Sequence, residues 1–360
     1  MKRFVAIFLA AACMMPVYGT DRFAITEVAA DANSISMRWS DVGADRYEVC
    51  RSLRRDGVYV KIAETEETAY IDSGLSQNRA YFYRIRACWA RGGITVQSET
   101  TAPQGQCCVQ IAEAFAEENR CYRLAQPLAV RGLMLHSLGC AQEKAAAVAA
   151  AWNQPSANVL VHAVVEPGGT VYQLADWETR CWHSGGSGNS QYIGVEMTEP
   201  SELRYRSGTE FSYSGDARET AMDNYNTAVA LFANLCFRFS LDPLTDIVSH
   251  AEGYRRGSAS AHADPEHLWD GLSLGVTMDT FRQDVAHKME GTYHERSAPP
   301  LRDCTVDATV LNIRSGPGTE YAVVGTLEEG AALTVCSAAE AQTAQWGRTE
   351  SGWVNLNYVS

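Results

Sequence analysis

The chain has 360 residues, of which 46% are hydrophobic and 20% charged, and its formal net charge is −13. That length exceeds one ordinary core and implies two or three domains. The acidic balance argues against nucleic acid or an anionic membrane surface as the main partner. Residues 1–19 pair Lys2 and Arg3 with an apolar stretch from Phe4 to Met15 and then small residues. This is the layout of a signal peptide cleaved after Gly19, and the stretch is short for a membrane span. A lipoprotein box ending at Cys13 is the competing reading, weakened by Ala10 where a larger aliphatic residue is usual. The expectation is a secreted or periplasmic protein without stable membrane insertion. Besides Cys13 the chain holds Cys50, Cys88, Cys107, Cys108, Cys121, Cys140, Cys181, Cys236, Cys304 and Cys336. An even number in an exported chain favours disulfides, but the pairing of the six central cysteines stays open.

Residues 21–104 read as short strands divided by turns. Ile35, Met37 and Trp39 alternate along SISMRW, and Tyr47, Val49, Tyr81, Tyr83 and Ile85 repeat at period two. Trp39, YEV at Tyr47, and Leu75 six residues before Tyr81 resemble a fibronectin type III domain. The resemblance implies a β-sandwich with Tyr81 as its tyrosine corner, and puts Cys50 and Cys88 on neighbouring strands, where a bridge is expected. TTAPQGQCC, at Thr100–Cys108, reads as a linker.

Residues 109–292 mix both periodicities. RGLMLHS, NVLVHAVVE and YIGVEM read as strands, the middle one turning at Pro167–Gly169 into TVYQL. EKAAAVAAAW is rich in helix formers. From Arg218 to Phe239, Tyr225, Ala228, Val229, Phe232, Leu235, Cys236 and Phe239 recur at helical spacing, with a stop expected near Pro243. TMDTFRQDVAHKM is a last helix that buries Met278, Phe281 and Val285. The alternation predicts an α/β domain, a mixed sheet flanked by helices.

The chemistry lies in SHAEGYRRGSASAHADPEHLW, which puts His250, His262 and Asp264 in one loop-rich stretch, with His136 far upstream at the end of an apolar strand. Two imidazoles and a carboxylate are a usual ligand set for catalytic zinc. Glu196, at the end of the apolar strand YIGVEM, is the candidate carboxylate for proton transfer, because a buried glutamate is costly unless paired or used. In order, the chain shows His136, the VxxH strand with GGTVYQ, WHSG at Trp182–Gly185, Asn189, IGVE at Ile193–Glu196, SHAEG and HAD at His262–Asp264. From Leu133 to Trp269 this set resembles the type 2 N-acetylmuramoyl-L-alanine amidases, which include peptidoglycan recognition proteins and phage lysozyme-like amidases. The resemblance implies peptidoglycan as substrate, Zn2+ as cofactor and His136, His250 and Asp264 as its ligands. Glu196 would be the general base, and His262 would stabilise the oxyanion where many members carry lysine, with more pH dependence than lysine gives. His183 and Asn189 are expected to line the substrate groove, with a purely structural role as the competing reading for His183. His162 is expected to be a satisfied core residue, and His267, His287 and His294 to be surface or packing residues. Glu252 is either an orienting carboxylate beside His250 or a solvated one. The alternative function is a recognition protein that binds peptidoglycan without cutting it.

Residues 301–360 turn all-β again. Leu311–Gly318, LNIRSGPG, with VVGTLEEG and GWV at Gly352–Val354, resemble the bacterial SH3-like domain, a small β-barrel. The resemblance implies wall binding, and Cys304 and Cys336 flank the matched strands as a possible pair. The oligomeric state is not legible.

Overall fold

The computed structural model describes residues 23–335, 337–341, 344–349 and 351–360. The expected signal segment, Cys13 and Cys336 lie outside them. Among the described residues no helix is long and apolar enough to cross a membrane.

The first strands are β1 (Ile25–Ala30), β2 (Ser34–Trp39), β3 (Arg46–Ser52), β4 (Val60–Thr65), β5 (Ala69–Ser73), β6 (Ala80–Arg91), β7 (Ile94–Thr100) and β8 (Gln104–Cys107). They form two facing sheets, β1-β2-β5 and β4-β3-β6-β7, with β8 beside β6. Strand alternation sends Ile35, Met37 and Trp39 of β2 inward against Tyr47, Val49, Tyr81, Tyr83 and Ile85. The Tyr81 hydroxyl accepts from the Ser76 amide at 2.9 Å, the contact that defines a tyrosine corner. This is the sandwich that the fibronectin resemblance implies.

The expected Cys50–Cys88 bridge is corrected. The two residues do lie on paired strands, but Cys50 stands opposite Arg84 and Cys88 opposite Arg46. Four residues of register separate them by about 13 Å, and a disulfide tolerates no more than about 7 Å between Cα atoms. Both are free thiols.

The expected linker is likewise a strand. In β8 the alternation continues to the adjacent cysteines. Cys107 enters the core of the central domain and Cys108 that of the sandwich, each 0% exposed. Gly105 lies between the rings of Phe82 and Phe237, where a Cβ would come within 2.8 Å of both. Gln77 Nε2 also donates to Gly169 O at 2.6 Å, and Lys288 Nζ to Asn78 O at 2.8 Å. The sandwich is thereby bolted to its neighbour.

The central domain contains β9 (Gln110–Glu113), α1 (Arg120–Leu124), β10 (Gly132–Ser137), α2 (Ala145–Trp152), β11 (Ala163–Val165), β12 (Thr170–Gln173) and β13 (Tyr192–Met197). A hairpin of β14 (Arg204–Ser207) and β15 (Glu210–Ser212) precedes α3 (Ala217–Phe239), β16 (Ile247–Ser249), α4 (His250–Arg255), α5 (Glu266–Gly271) and α6 (Met278–Glu290). Among the described residues one mixed sheet runs β16-β10-β13-β11-β12-β9. Its β16, β10, β13 and β11 are parallel. Leu133, Leu135, Ile193 and Val195 face α3 and α6, where Tyr225, Phe232 and Phe281 pack edge to face. The alternate residues, among them His136, Gly194 and Glu196, face the other way. The helix α3 stops at Phe239, earlier than Pro243 suggested, because Ser240 takes a left-handed φ of 53° and caps it.

Segment 296–299 is tied down by Arg218, whose Nη1 donates to Pro299 O at 2.8 Å. Beyond it come β17 (Arg302–Thr305), β18 (Val310–Arg314), β19 (Val323–Glu328), β20 (Ala332–Val335), β21 (Ser337–Ala341), β22 (Ala344–Thr349) and β23 (Gly352–Asn355). They pair as β17-β20 and β19-β18-β23-β22-β21, around Leu311, Ile313, Val335 and Val354.

Candidate metal centre

Strand register builds the centre. His136 on β10 pairs with Glu196 on β13, so both point to the same side at the carboxyl ends of parallel strands. The next strand, β16, delivers His250, which opens α4 and does not end the strand as DIVSH suggested. Asp264 arrives from the loop before α5. His136, His250 and Asp264 are 2%, 4% and 6% exposed, and one donor atom from each lies within 4.8 Å of the others. His136 Nδ1 is 3.0 Å from His250 Nδ1 and 3.3 Å from Asp264 Oδ2, and His250 Nδ1 is 3.5 Å from that oxygen.

The protons on these rings follow from their outer partners. His183 Nε2 lies 3.1 Å from Tyr192 O, a pure acceptor, so that nitrogen carries the hydrogen and His183 Nδ1 accepts. Its donor is His136 Nε2 at 2.9 Å, which leaves His136 Nδ1 as a bare lone pair. Ser260 Oγ donates to Ser184 O at 3.2 Å and accepts from His250 Nε2 at 3.3 Å, which leaves His250 Nδ1 bare as well. Two lone pairs and a carboxylate oxygen therefore face one another with no proton between them. Such a cluster is repulsive unless a cation occupies its middle. A four-coordinate metal with bonds of about 2.1 Å holds its ligands roughly 3.4 Å apart, a spacing that the three distances bracket. The donor set fits a bound divalent metal.

The frame around the ligands is rigid. Ser249 caps α4 in a capping box with Glu252. Arg282 grips the Glu252 carboxylate with Nη1 at 2.8 Å and Nη2 at 3.0 Å. Ser249 Oγ donates to Glu266 Oε1 at 2.7 Å, joining α4 to α5. Of the two readings for Glu252, orientation of the His250 helix is the one the contacts support.

Glu196 is 7% exposed, and among the described residues nothing hydrogen-bonds its carboxylate. Burial, then the negative charges of Asp264 and Glu199, push its pKa well above the ordinary value. His262 is the opposite case. Its side chain is 59% exposed, its ring stacks on His250 at 4.4 Å and 2°, and its Nδ1 lies 3.6 Å from Asp264 Oδ1. It stands at the solvent side of the cluster.

Two expectations are corrected. His183 and Asn189, expected in the groove, lie behind the ligands, 7% and 9% exposed. His183 has both ring nitrogens engaged by His136 and Tyr192. Asn189 Oδ1 accepts from His183 N, Ser184 N and Ser184 Oγ at 2.9, 2.7 and 3.0 Å, which fixes the loop that carries His183. Gly194 makes room beneath that ring, since a Cβ there would fall 2.5 Å from His183 Cγ. His162 is a satisfied core histidine as expected. Its Nδ1 accepts from Gly194 N at 2.9 Å, its Nε2 donates to Thr179 O at 2.7 Å, and burial lowers its pKa to about 4.

Sequence reasoning missed Ser260 and Arg282, for which a serine in SASAH and an arginine in a helix give no signal. His267, expected to be a surface or packing residue, packs on Tyr205 and Phe211. Tyr205 hydrogen-bonds the fully buried Glu199, and Glu199 Oε1 accepts from Gly139 N at 2.8 Å. The loop after His136 is thus fastened to the β14–β15 hairpin.

The mixed sheet and the His-His-Asp cluster form a domain with a candidate metal site. Residues 126–267 match the family model described as N-acetylmuramoyl-L-alanine amidase, and the central region carries a domain of that family. Among solved structures the chain is similar to the Staphylococcus aureus hydrolase AmiA in complex with its ligand, at 18% identity and a TM-score of 0.40, over 52% of this chain and 88% of that one. It is also similar to the catalytic domain of XlyA, at 21% identity and a TM-score of 0.36, over 49% of this chain and 98% of that one. A fibronectin type III domain of human KIAA0970 protein is similar at 16% identity and a TM-score of 0.22, over 25% of this chain and 74% of that one. No curated protein matches the chain.

Proposed function

We propose that this protein is an exported zinc-dependent peptidoglycan hydrolase that cleaves the amide between N-acetylmuramic acid and the L-alanine of the stem peptide. The observation that carries the reading is the pair of bare Nδ1 lone pairs, on His136 and His250, turned toward the Asp264 carboxylate beside an unpaired, buried Glu196. His136, His250 and Asp264 hold the zinc, which when bound supplies positive charge to acidify water and polarise a carbonyl. Glu196 takes the proton of the attacking water and passes it to the leaving amine of L-alanine. Its burial suits both halves of that task, because a carboxyl with a raised pKa gives as well as takes a proton near neutrality. His262, free on the solvent side, donates a hydrogen bond to the developing oxyanion. The C-terminal β unit holds the enzyme to the wall.

Digestion of purified sacculi followed by mass spectrometry tests the bond. Free stem peptides beginning at L-alanine, with muramic acid left on the glycan, are expected. Binding to sacculi with no released peptide, from zinc-loaded protein, refutes hydrolysis and supports the recognition-protein alternative.

A further inference from the structure

Among the described cysteines, most are ruled out as partners by their placement. Cys50 and Cys88 are out of register, Cys107 and Cys108 enter different cores, Cys236 is buried within α3, and Cys140 is exposed. Cys121 and Cys181 differ, because they share one core cluster and are 1% and 0% exposed. Cys121 Sγ lies 3.3 Å from the carbonyl of Arg180, the residue before Cys181, so the two thiols are neighbours in the fold. The elements around them are already fixed. Asn119 caps α1 through Cys121 N at 2.8 Å and ties it to Trp152 O and Val159 O, while Leu160 N donates to Trp182 O at 3.0 Å.

We infer that Cys121 and Cys181 form a disulfide that fastens α1 to the segment Cys181–Ser184, and through it to His183 behind the metal ligand His136. The contact with Cys181 holds the Cys121 thiol below its ordinary pKa, whereas burial pushes Cys181 up. With oxidised glutathione as oxidant, Cys121 attacks one glutathione sulfur and releases reduced glutathione. Cys181 then loses its proton, attacks Cys121 Sγ and releases the second. Two protein thiols are oxidised and one glutathione disulfide is reduced to two thiols. Both sulfurs are buried in the finished fold, so the bond forms while the chain folds.

The full-length chain, reduced and denatured, is refolded with zinc in a buffer of reduced and oxidised glutathione, acid-quenched, alkylated and digested. Mass spectrometry is expected to find the Cys121 and Cys181 peptides linked to each other. Closing a loop of roughly 60 residues is expected to raise the Tm of the central domain by about 10 °C over the reduced protein. In C121S/C181S protein that reductant-sensitive shift disappears. Recovery of both cysteines alkylated from folded, oxidised protein, or linked to other cysteines, overturns the inference, whatever the variant does.

Discussion

Replacing His183 with leucine separates the metal site from its support while keeping the core apolar and nearly filled. His136 then loses the acceptor of its Nε2–H, and Tyr192 O loses a donor. With no partner behind it, the His136 ring is free to carry its proton on Nδ1, the nitrogen that must stay bare to bind metal. Partners of this kind are worth about 10–100-fold in metal affinity, or about 1.4–2.7 kcal/mol. H183L is expected to lose zinc to a chromophoric chelator at correspondingly lower chelator concentration. H183N, whose amide oxygen stands where Nδ1 did, is expected to recover most of the affinity. Zinc affinity of H183L within threefold of wild type, with the protein folded, refutes the tautomer argument.

Glu196→Gln keeps the strand and the ligands, so zinc stoichiometry should be unchanged while turnover on sacculi falls by about 10²–10⁴-fold; retained turnover removes Glu196 as the base. Gly194→Ala forces a Cβ against the His183 ring, with an expected cost of about 1–3 kcal/mol and a zinc-affinity loss like that of H183L, both measurable by denaturation and chelator competition. His162 has its folded pKa lowered to about 4 from an ordinary 6.5. The folded state thus favours neutral His162, and its contribution is complete above pH 6.5 and lost as pH falls toward 4, by roughly 3 kcal/mol. Urea denaturation at pH 7 and pH 4.5 should show a smaller acid loss for H162Q than for wild type; an identical slope rejects this assignment.

Much of the fold could be read in the sequence where periodicity and burial coincide. The stripe from Tyr225 to Phe239 marked α3 because its apolar face meets the sheet throughout. Ile35, Met37 and Trp39 marked β2 for the same reason. The His136, His250 and Asp264 cluster was legible because such side chains in that motif order are rare along a chain. What stayed hidden depended on register and on the direction of a side chain. Cys50 and Cys88 sit on the expected strands, yet only the four-residue offset shows that they do not meet. His183 follows a tryptophan and precedes glycines, a pattern that suits a groove, and only its bonds to His136 and Tyr192 place it behind the site. TTAPQGQCC has linker composition, and its strand character arises from the edge of β6, which lies at a distance in the fold and offers the hydrogen bonds.

That last strand has a consequence for how the protein is handled and how it works. Because Cys107 and Cys108 anchor in two cores at adjacent positions, the chain offers no severable joint between the sandwich and the catalytic domain. An expression clone that starts at residue 109 strips the cover from Phe237 and leaves Asn234 without the carbonyl it binds, so such a clone inherits a sticky surface. The sandwich is better regarded as a permanent wall of the central domain than as a tether. Under the proposed function, a reach toward the cell wall then falls to the C-terminal β unit and not to the sandwich.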